Sequence, residues 1–321
     1  MTADSPPEAP MLPKKVNVTE VGTRDGLQSE PKFVPTEDKI ALVNSLIRAG
    51  IRRLEVSSFV SPRAVPQMAD AAQVMAGIER PDGLVAACLV PNANGARRAA
   101  EARVDEMVAF VSASESHNRA NVNRSIAESL DGFGQVAEIA RENGIAVHGA
   151  IAVAFGCPFE GDVPFAQVVG LVGRLRALGV RDVTLGDTTG MATPPIVTGL
   201  CKAILDAHPD VHITLHFHNT RGIGLANALA GLQAGIDSYE SSLGGLGGCP
   251  FAPGATGNIC TEDLVYLLHE MGIETGIDLA ALVAAARHVE TLVGHPVPGQ
   301  VMKAGPRLRR HPLDAVRPAL G

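Results

Sequence analysis

The sequence predicts an α/β protein built as a closed (β/α)8 barrel, with an additional C-terminal helix. Three observations predict it. Short β-rich runs alternate from end to end with Ala/Leu-rich segments of helical spacing, the pattern of a parallel sheet. Several of the helical segments stop at a glycine that opens the next unit, as at Gly50, Gly144, Gly179 and Gly235, positions suited to the left-handed turn that ends a helix. Polar clusters follow the first, second, sixth, seventh and eighth runs. A barrel converges such strand ends on one mouth, whereas an open sheet spreads them along an edge. No Gly-x-Gly-x-x-Gly follows the first strand, which disfavours a dinucleotide-binding sheet.

Taken in order, the strands fall at Val16–Val21, Arg53–Phe59, Leu84–Val90, Met107–Ser112, Ala146–Val153, Asp182–Asp187, His212–His218 and Ser238–Leu243. Between them the helical spacing covers Glu37–Ala49, Pro66–Ile78, Ile126–Asn143, Phe165–Leu178, Pro195–Ala207 and Gly224–Ala234. A further helix over Leu279–Leu292 packs outside or against the barrel. The expected organisation is a disordered arm over residues 1–13, with four prolines, two acids and no arginine; a TIM-barrel domain with its extra helix over 14–295; and a polar, Pro-containing tail over 296–321.

A chain of 321 residues suits one such barrel. No apolar run approaches the ~20 residues that span a bilayer, so no membrane role is expected. A formal charge of -7 argues against nucleic-acid binding, although local arginines can still meet an anionic small ligand. The N-terminus lacks the pattern of a secretory signal. The five cysteines are scattered and odd in number, with no Cys-x-x-Cys pair, which fits a reducing cytoplasm rather than a disulfide framework.

His216 and His218 stand two apart on a predicted strand, so both imidazoles point to one side, about 6.6 Å apart along the backbone, and can reach one metal ion. The alternative is a pair of barrel-filling histidines; His212, of the same parity but deeper, reads as structural. Asp25 follows the first strand within Gly22-Thr23-Arg24-Asp25-Gly26-Leu27-Gln28. With an amide oxygen from Asn258 it would complete a mixed O/N donor set suited to Mg²⁺ or Mn²⁺. Glu55 lies inside an apolar strand, where a carboxylate is costly unless paired, and Arg24 is the candidate partner. Asp187 is the same oddity on the sixth strand; each could be a buried ion pair or a direct participant. Cys249 sits in Gly244-Gly245-Leu246-Gly247-Gly248-Cys249-Pro250, a poor core segment and a good lid. Cys88 and Cys201 better fit the buried, inert thiol. No Gly-x-Ser-x-Gly elbow is present, so serine hydrolase chemistry is disfavoured.

Together these motifs resemble the 3-hydroxy-3-methylglutaryl-CoA lyase family of metal-dependent barrel lyases, from about Val16 to Ile277. The matching elements include Glu55-Val56-Ser57-Ser58-Phe59-Val60-Ser61-Pro62, Ser112-Ala113-Ser114-Glu115, Gly186-Asp187-Thr188 and Gly257-Asn258 before Thr261-Glu262-Asp263-Leu264. The Arg-Asp element indicates only the wider group, which includes Claisen-condensing synthases; the Gly-Gly-Cys-Pro loop singles out the lyases. The resemblance implies a divalent cation on Asp25, His216, His218 and Asn258, an acyl-CoA substrate and a homodimer. It implies retro-aldol-type cleavage of 3-hydroxy-3-methylglutaryl-CoA to acetyl-CoA and acetoacetate, in a leucine-degrading role. The roles it implies are Arg24 at the developing enolate oxygen, Glu55 orienting Arg24, Asp187 holding a ligand or the substrate region, Gln28 on the substrate, and Cys249 sharing proton transfer with His216 or Asp25. The chain departs from the family at His218-Asn219-Thr220-Arg221-Gly222, where His-Asp-Thr-Tyr-Gly is typical. Arg221 could therefore meet an extra carboxylate or a CoA phosphate, which keeps citramalyl-CoA open as a substrate; it could equally face solvent. An isopropylmalate-synthase-like condensing enzyme is a further alternative, and a metal- or CoA-binding homologue without turnover is the reading from another class.

Overall fold

The computed structural model describes residues 12–248 and 257–312. Its strands are β1 (Asn17–Glu20), β2 (Arg53–Ser58), β3 (Val85–Leu89), β4 (Glu106–Ser112), β5 (Ala146–Ala152), β6 (Asp182–Asp187), β7 (His212–Phe217) and β8 (Ser238–Ser241). Each is parallel to the next in chain order, and β8 pairs with β1, so the eight strands close into the expected TIM barrel. The helices are α1 (Thr36–Arg48), α2 (Ala71–Gly77), α3 (Ala93–Glu101), α4 (Glu115–Val122), α5 (Ile126–Glu142), α6 (Phe165–Ala177), α7 (Pro194–Ala207), α8 (Gly224–Gln233), α9 (Thr261–Glu270), α10 (Leu279–Val293) and α11 (Val301–Ala304).

The strands present two chemically different faces. On β7, Ile213, Leu215 and Phe217 are buried, alternating with Thr214 and His216. The polar set points into the barrel. Thr184 on β6 donates to Glu240 on β8 at 2.7 Å, and these strands are separated by β7, so the bond crosses the interior. The apolar set packs under the helices, which bury Leu42 and Leu46 of α1, Leu171 and Leu175 of α6, and Leu200 and Ile204 of α7.

Three segments differ from the sequence reading. The helix expected over Pro66–Ile78 is split into a 3-10 turn at Pro66–Met68 and α2, because Asp70 turns its carboxylate to Lys39 (2.7 Å) and Thr36 (2.9 Å) on α1. The last strand stops at Ser241 because the chain enters a 3-10 turn at Leu243–Gly245. After α10 the chain packs back: Val297, Val301 and Met302 are buried, and Asp263 accepts the backbone N–H groups of Gln300 (3.0 Å) and Val301 (2.7 Å) at the start of α11.

Candidate active site

The end of β1 turns sharply inward. The Val21 carbonyl accepts the N–H of Arg24 (3.1 Å) and of Asp25 (2.7 Å) as residues Gly22–Gly26 form one π-helical turn. A Cβ on Gly22 would stand 2.6 Å from Glu20 Oε1 and 2.9 Å from Leu243 N, so the turn needs glycine there. The buried Arg24 guanidinium forks between two carboxylates: Nε donates to Glu55 Oε2 at 2.7 Å, and Nη1 to Asp25 Oδ1 at 2.5 Å. Burial disfavours the charged guanidinium, but Glu55 and Asp25 outweigh it and hold the Arg24 pKa above its ordinary value. Burial also works against ionised Asp25, yet Arg24, His216 and His218 bring its pKa down to about 2. Glu55 Oε1 is buried with no partner among the described residues, and burial pushes this carboxyl upward while Arg24 pulls against it.

His216 and His218 share one side of the β7 end, as the two-residue spacing predicts, with ring centroids 5.2 Å apart. Their ligand atoms and a carboxylate oxygen of Asp25 all lie within 4.8 Å of one another. His216 Nδ1 sits 2.8 Å from Glu240 Oε2; despite burial, that carboxylate raises the His216 pKa, and His216 in return lowers Glu240 to about 2.

Asn258 joins this group because residues 257–261 extend the ends of β7 and β8. The Ile259 N–H donates to the Phe217 carbonyl and the Ser242 N–H to the Ile259 carbonyl, at 3.0 and 3.1 Å. Asn258 Nδ2 donates to Asp25 Oδ2 (2.8 Å) and to the Leu246 carbonyl (3.0 Å), while its Oδ1 is buried without a partner among the described residues. That orphaned carbonyl oxygen is the observation that tests the expected cation site. With one carboxylate and two imidazoles, and no thiolate among the described residues beside it, the donor set fits a hard divalent ion. Gly247, at φ +113°, keeps the space open, since a Cβ there would lie 2.6 Å from Asn258 Nδ2 and 3.3 Å from Asp25 Oδ2.

The remaining sequence-predicted residues are placed as follows. Gln28 Nε2 donates to Asp25 Oδ1 at 3.2 Å, so it bears on the site through Asp25. Asp187 uses Oδ1 to accept the N–H groups of Met191 (2.7 Å) and Ala192 (2.9 Å); Oδ2 is buried and unpartnered, and burial pushes the pKa up to about 7. Arg221 Nη1 donates to the carbonyls of Thr189 (2.9 Å) and Gly190 (2.6 Å), tying the loop after β7 to the loop after β6. His212 lies at the far end of β7, beside Asp237 (3.0 Å) and Asp182 (3.3 Å). Cys249 lies outside the described residues. Two residues of the site escaped the sequence reading, Glu20 and Glu240. Each is a carboxylate in an otherwise apolar or small-residue strand, the same signal that pointed to Glu55. Glu20 accepts from Gly22 N (2.6 Å), Leu243 N (2.9 Å) and Thr261 Oγ1 (2.6 Å).

Comparison with known proteins agrees with this geometry. Residues 15–289 match the HMGL-like family model. The chain is 46% identical to hydroxymethylglutaryl-CoA lyase YngG of Bacillus subtilis, over 90% of this chain and 96% of that one. It is 45% identical to an (R)-citramalyl-CoA lyase of Chloroflexus aurantiacus, over 91% and 95% of the two chains. An HMG-CoA lyase structure from Acinetobacter baumannii, in complex with coenzyme A and 3-methylmalate, superposes with a TM-score of 0.90 at 46% identity, covering 94% of this chain and 98% of that one. Family model, identity and barrel all converge, and the chain belongs to the HMGL-like family.

Proposed function

We propose that this chain is a divalent-metal-dependent carbon–carbon lyase that cleaves 3-hydroxy-3-methylglutaryl-CoA to acetyl-CoA and acetoacetate. The observation that carries the reading is the convergence of Asp25, His216 and His218 beside the unpartnered Asn258 carbonyl and the charged Arg24. A bound Mg²⁺ or Mn²⁺ would supply Lewis acidity toward the C3 hydroxyl and a substrate carboxylate oxygen. Arg24, kept charged by its two carboxylates, stands ready for the thioester oxygen, where negative charge grows as the C2–C3 bond breaks. Glu55 fixes the guanidinium plane, and Gln28 and Asn258 fix the Asp25 carboxylate through hydrogen bonds to both of its oxygens. A base removes the C3 hydroxyl proton, the C2–C3 electron pair passes to the enolate of acetyl-CoA, and an acid returns a proton to C2. These transfers fall to Cys249 and to His216 or Asp25. Exposing the chain to substrate with Mg²⁺ or Mn²⁺, and then with EDTA, tests the reading: metal-dependent acetyl-CoA release is expected, and its absence from folded, metal-loaded protein would sink it. Cys249→Ala should lose most of its turnover while still binding metal.

A second substrate, citramalyl-CoA, is favoured by the citramalyl-CoA lyase relative. Pyruvate release in the same assay would establish it. The reading extends to a homodimer working in the cytoplasm. The buried free thiols of Cys88, Cys157, Cys201 and Cys260 suit a reducing compartment, and no helix among the described residues is long and apolar enough to cross a membrane. Light scattering on the purified protein checks the dimer.

A further inference from the structure

Six side chains from six strands form one hydrogen-bonded chain through the barrel interior, running from its N-terminal end to the candidate metal ligands. It begins where Arg53 on β2 pairs with Glu106 on β4. The same Arg53 Nη2 stands 3.1 Å from His148 Nδ1 on β5. His148 Nε2 lies 2.8 Å from Thr184 Oγ1 on β6. The Thr184 hydroxyl donates to Glu240 Oε1 at 2.7 Å, and Glu240 Oε2 lies 2.8 Å from His216 Nδ1. The Arg53 side chain is 28% exposed; His148 and Thr184 are buried.

Donor and acceptor chemistry permits one ordering of the protons. A guanidinium only donates, so His148 Nδ1 accepts from Arg53. The His148 proton then sits on Nε2 and is given to Thr184 Oγ1. Burial, which pushes the His148 pKa down, agrees with a neutral ring. With that contact made, the Thr184 hydroxyl proton is free to go to Glu240. A carboxylate accepts at both oxygens, so the neutral His216 ring carries its proton on Nδ1 and leaves its lone pair on Nε2. We infer that this interior chain sets the His216 tautomer that can ligate a metal, which makes Glu240, Thr184 and His148 positioning residues for the ion. The inference rests on the metal reading proposed above. Its physical basis is general: a partner on the distal nitrogen of a ligating histidine fixes ring orientation and raises ligand basicity, and its loss costs about 10–100-fold in metal affinity.

The test uses the full chain, metal-stripped, with Glu240→Gln, Thr184→Val and Thr184→Ser. Calorimetric titration with Mn²⁺ reads affinity, and two-bond ¹H–¹⁵N spectra of the metal-free protein read the His216 tautomer. The expected result is an Nδ1–H tautomer in the unmodified protein. Mn²⁺ affinity should weaken about tenfold or more in Glu240→Gln, and less in Thr184→Val. Thr184→Ser should return to within about twofold of the parent. Thermal unfolding run alongside separates a packing defect, which lowers the melting temperature without moving Mn²⁺ affinity. An Nε2–H tautomer in the parent, or unchanged Mn²⁺ affinity in folded Glu240→Gln and Thr184→Val, overturns the inference while leaving the metal site standing. If neither variant folds, the parent spectrum alone decides. A parent that binds no Mn²⁺ defeats the metal reading and this inference with it.

Discussion

Arg24 serves Glu55 and Asp25 at once, and that double service governs what a substitution there costs. Lysine offers a point charge on a flexible stem and cannot reproduce the fork. Arg24→Lys is therefore expected to lower kcat by about 100-fold or more, with Mn²⁺ affinity changed far less; steady-state kinetics beside a Mn²⁺ titration checks the split. Asn258→Ala should act the other way. It removes the unpartnered carbonyl and the hydrogen bond to Asp25 together, so Mn²⁺ affinity should fall about tenfold or more, measured by calorimetry. At this scale the sequence was informative wherever a rule of spacing or cost applied: the two-apart histidines, and a carboxylate stranded among apolar neighbours at Glu55. Glu20 and Glu240 obey that same cost rule. What hid them is their immediate surroundings: Glu20 follows Thr19 and Glu240 stands between Tyr239 and Ser241, whereas Glu55 is flanked by Leu54 and Val56.

Among the elements, the stems on either side of Cys249 depend on one carboxylate. Glu20 accepts from Leu243 N, at the start of the 3-10 turn that precedes the segment, and from Thr261 Oγ1, at the start of α9 that follows it. Thr261→Val leaves Glu20 Oε2 buried without that donor. It should cost about 1–3 kcal/mol of stability, read by denaturant unfolding, and a value near zero would show that the stems do not rely on the contact. The long amphipathic helices and all eight strands were legible from periodicity. Four of the helices were not, for separate reasons: α11 is a single four-residue turn inside the stretch read as a polar tail. α3 holds Gly95 and buries only small residues; α4 is short, polar and closed by Asn123 in a left-handed conformation; α9 is ten residues long and opens on the polar Thr261, Glu262 and Asp263, so its buried Leu264, Val265 and Leu268 make only a short apolar stripe.

For the molecule as a whole, burial of polar groups sets the response to pH. Glu20 and Glu262 are raised from 4.5 to about 7 and about 8, and Asp187 from 3.8 to about 7, in each case mainly by burial. Below the unfolded values both states keep these protons, and the contribution to stability is full. As pH climbs toward the folded values, the unfolded chain releases protons that the folded chain retains, so stability is lost. The melting temperature of the metal-free protein should fall between about pH 5 and about pH 8. Glu262→Gln, which keeps an acceptor for the Gly244 N–H, should flatten that fall; an unchanged slope would remove Glu262 from the account.

Two hydrogen bonds at the barrel mouth join residues far apart in the 321-residue chain. Glu20 meets Thr261 across 241 residues, and Asp25 meets Asn258 across 233. During synthesis from the N-terminus, Asp25 is made early and then waits, since neither the histidine pair nor Asn258 exists until most of the barrel has emerged. The proposed ion site is therefore completed only after all eight strands have been made, and before α9, α10 and α11. A chain truncated before residue 258 would lack one of the four proposed ligands, so ion binding by the full donor set would report that all eight strands have been made.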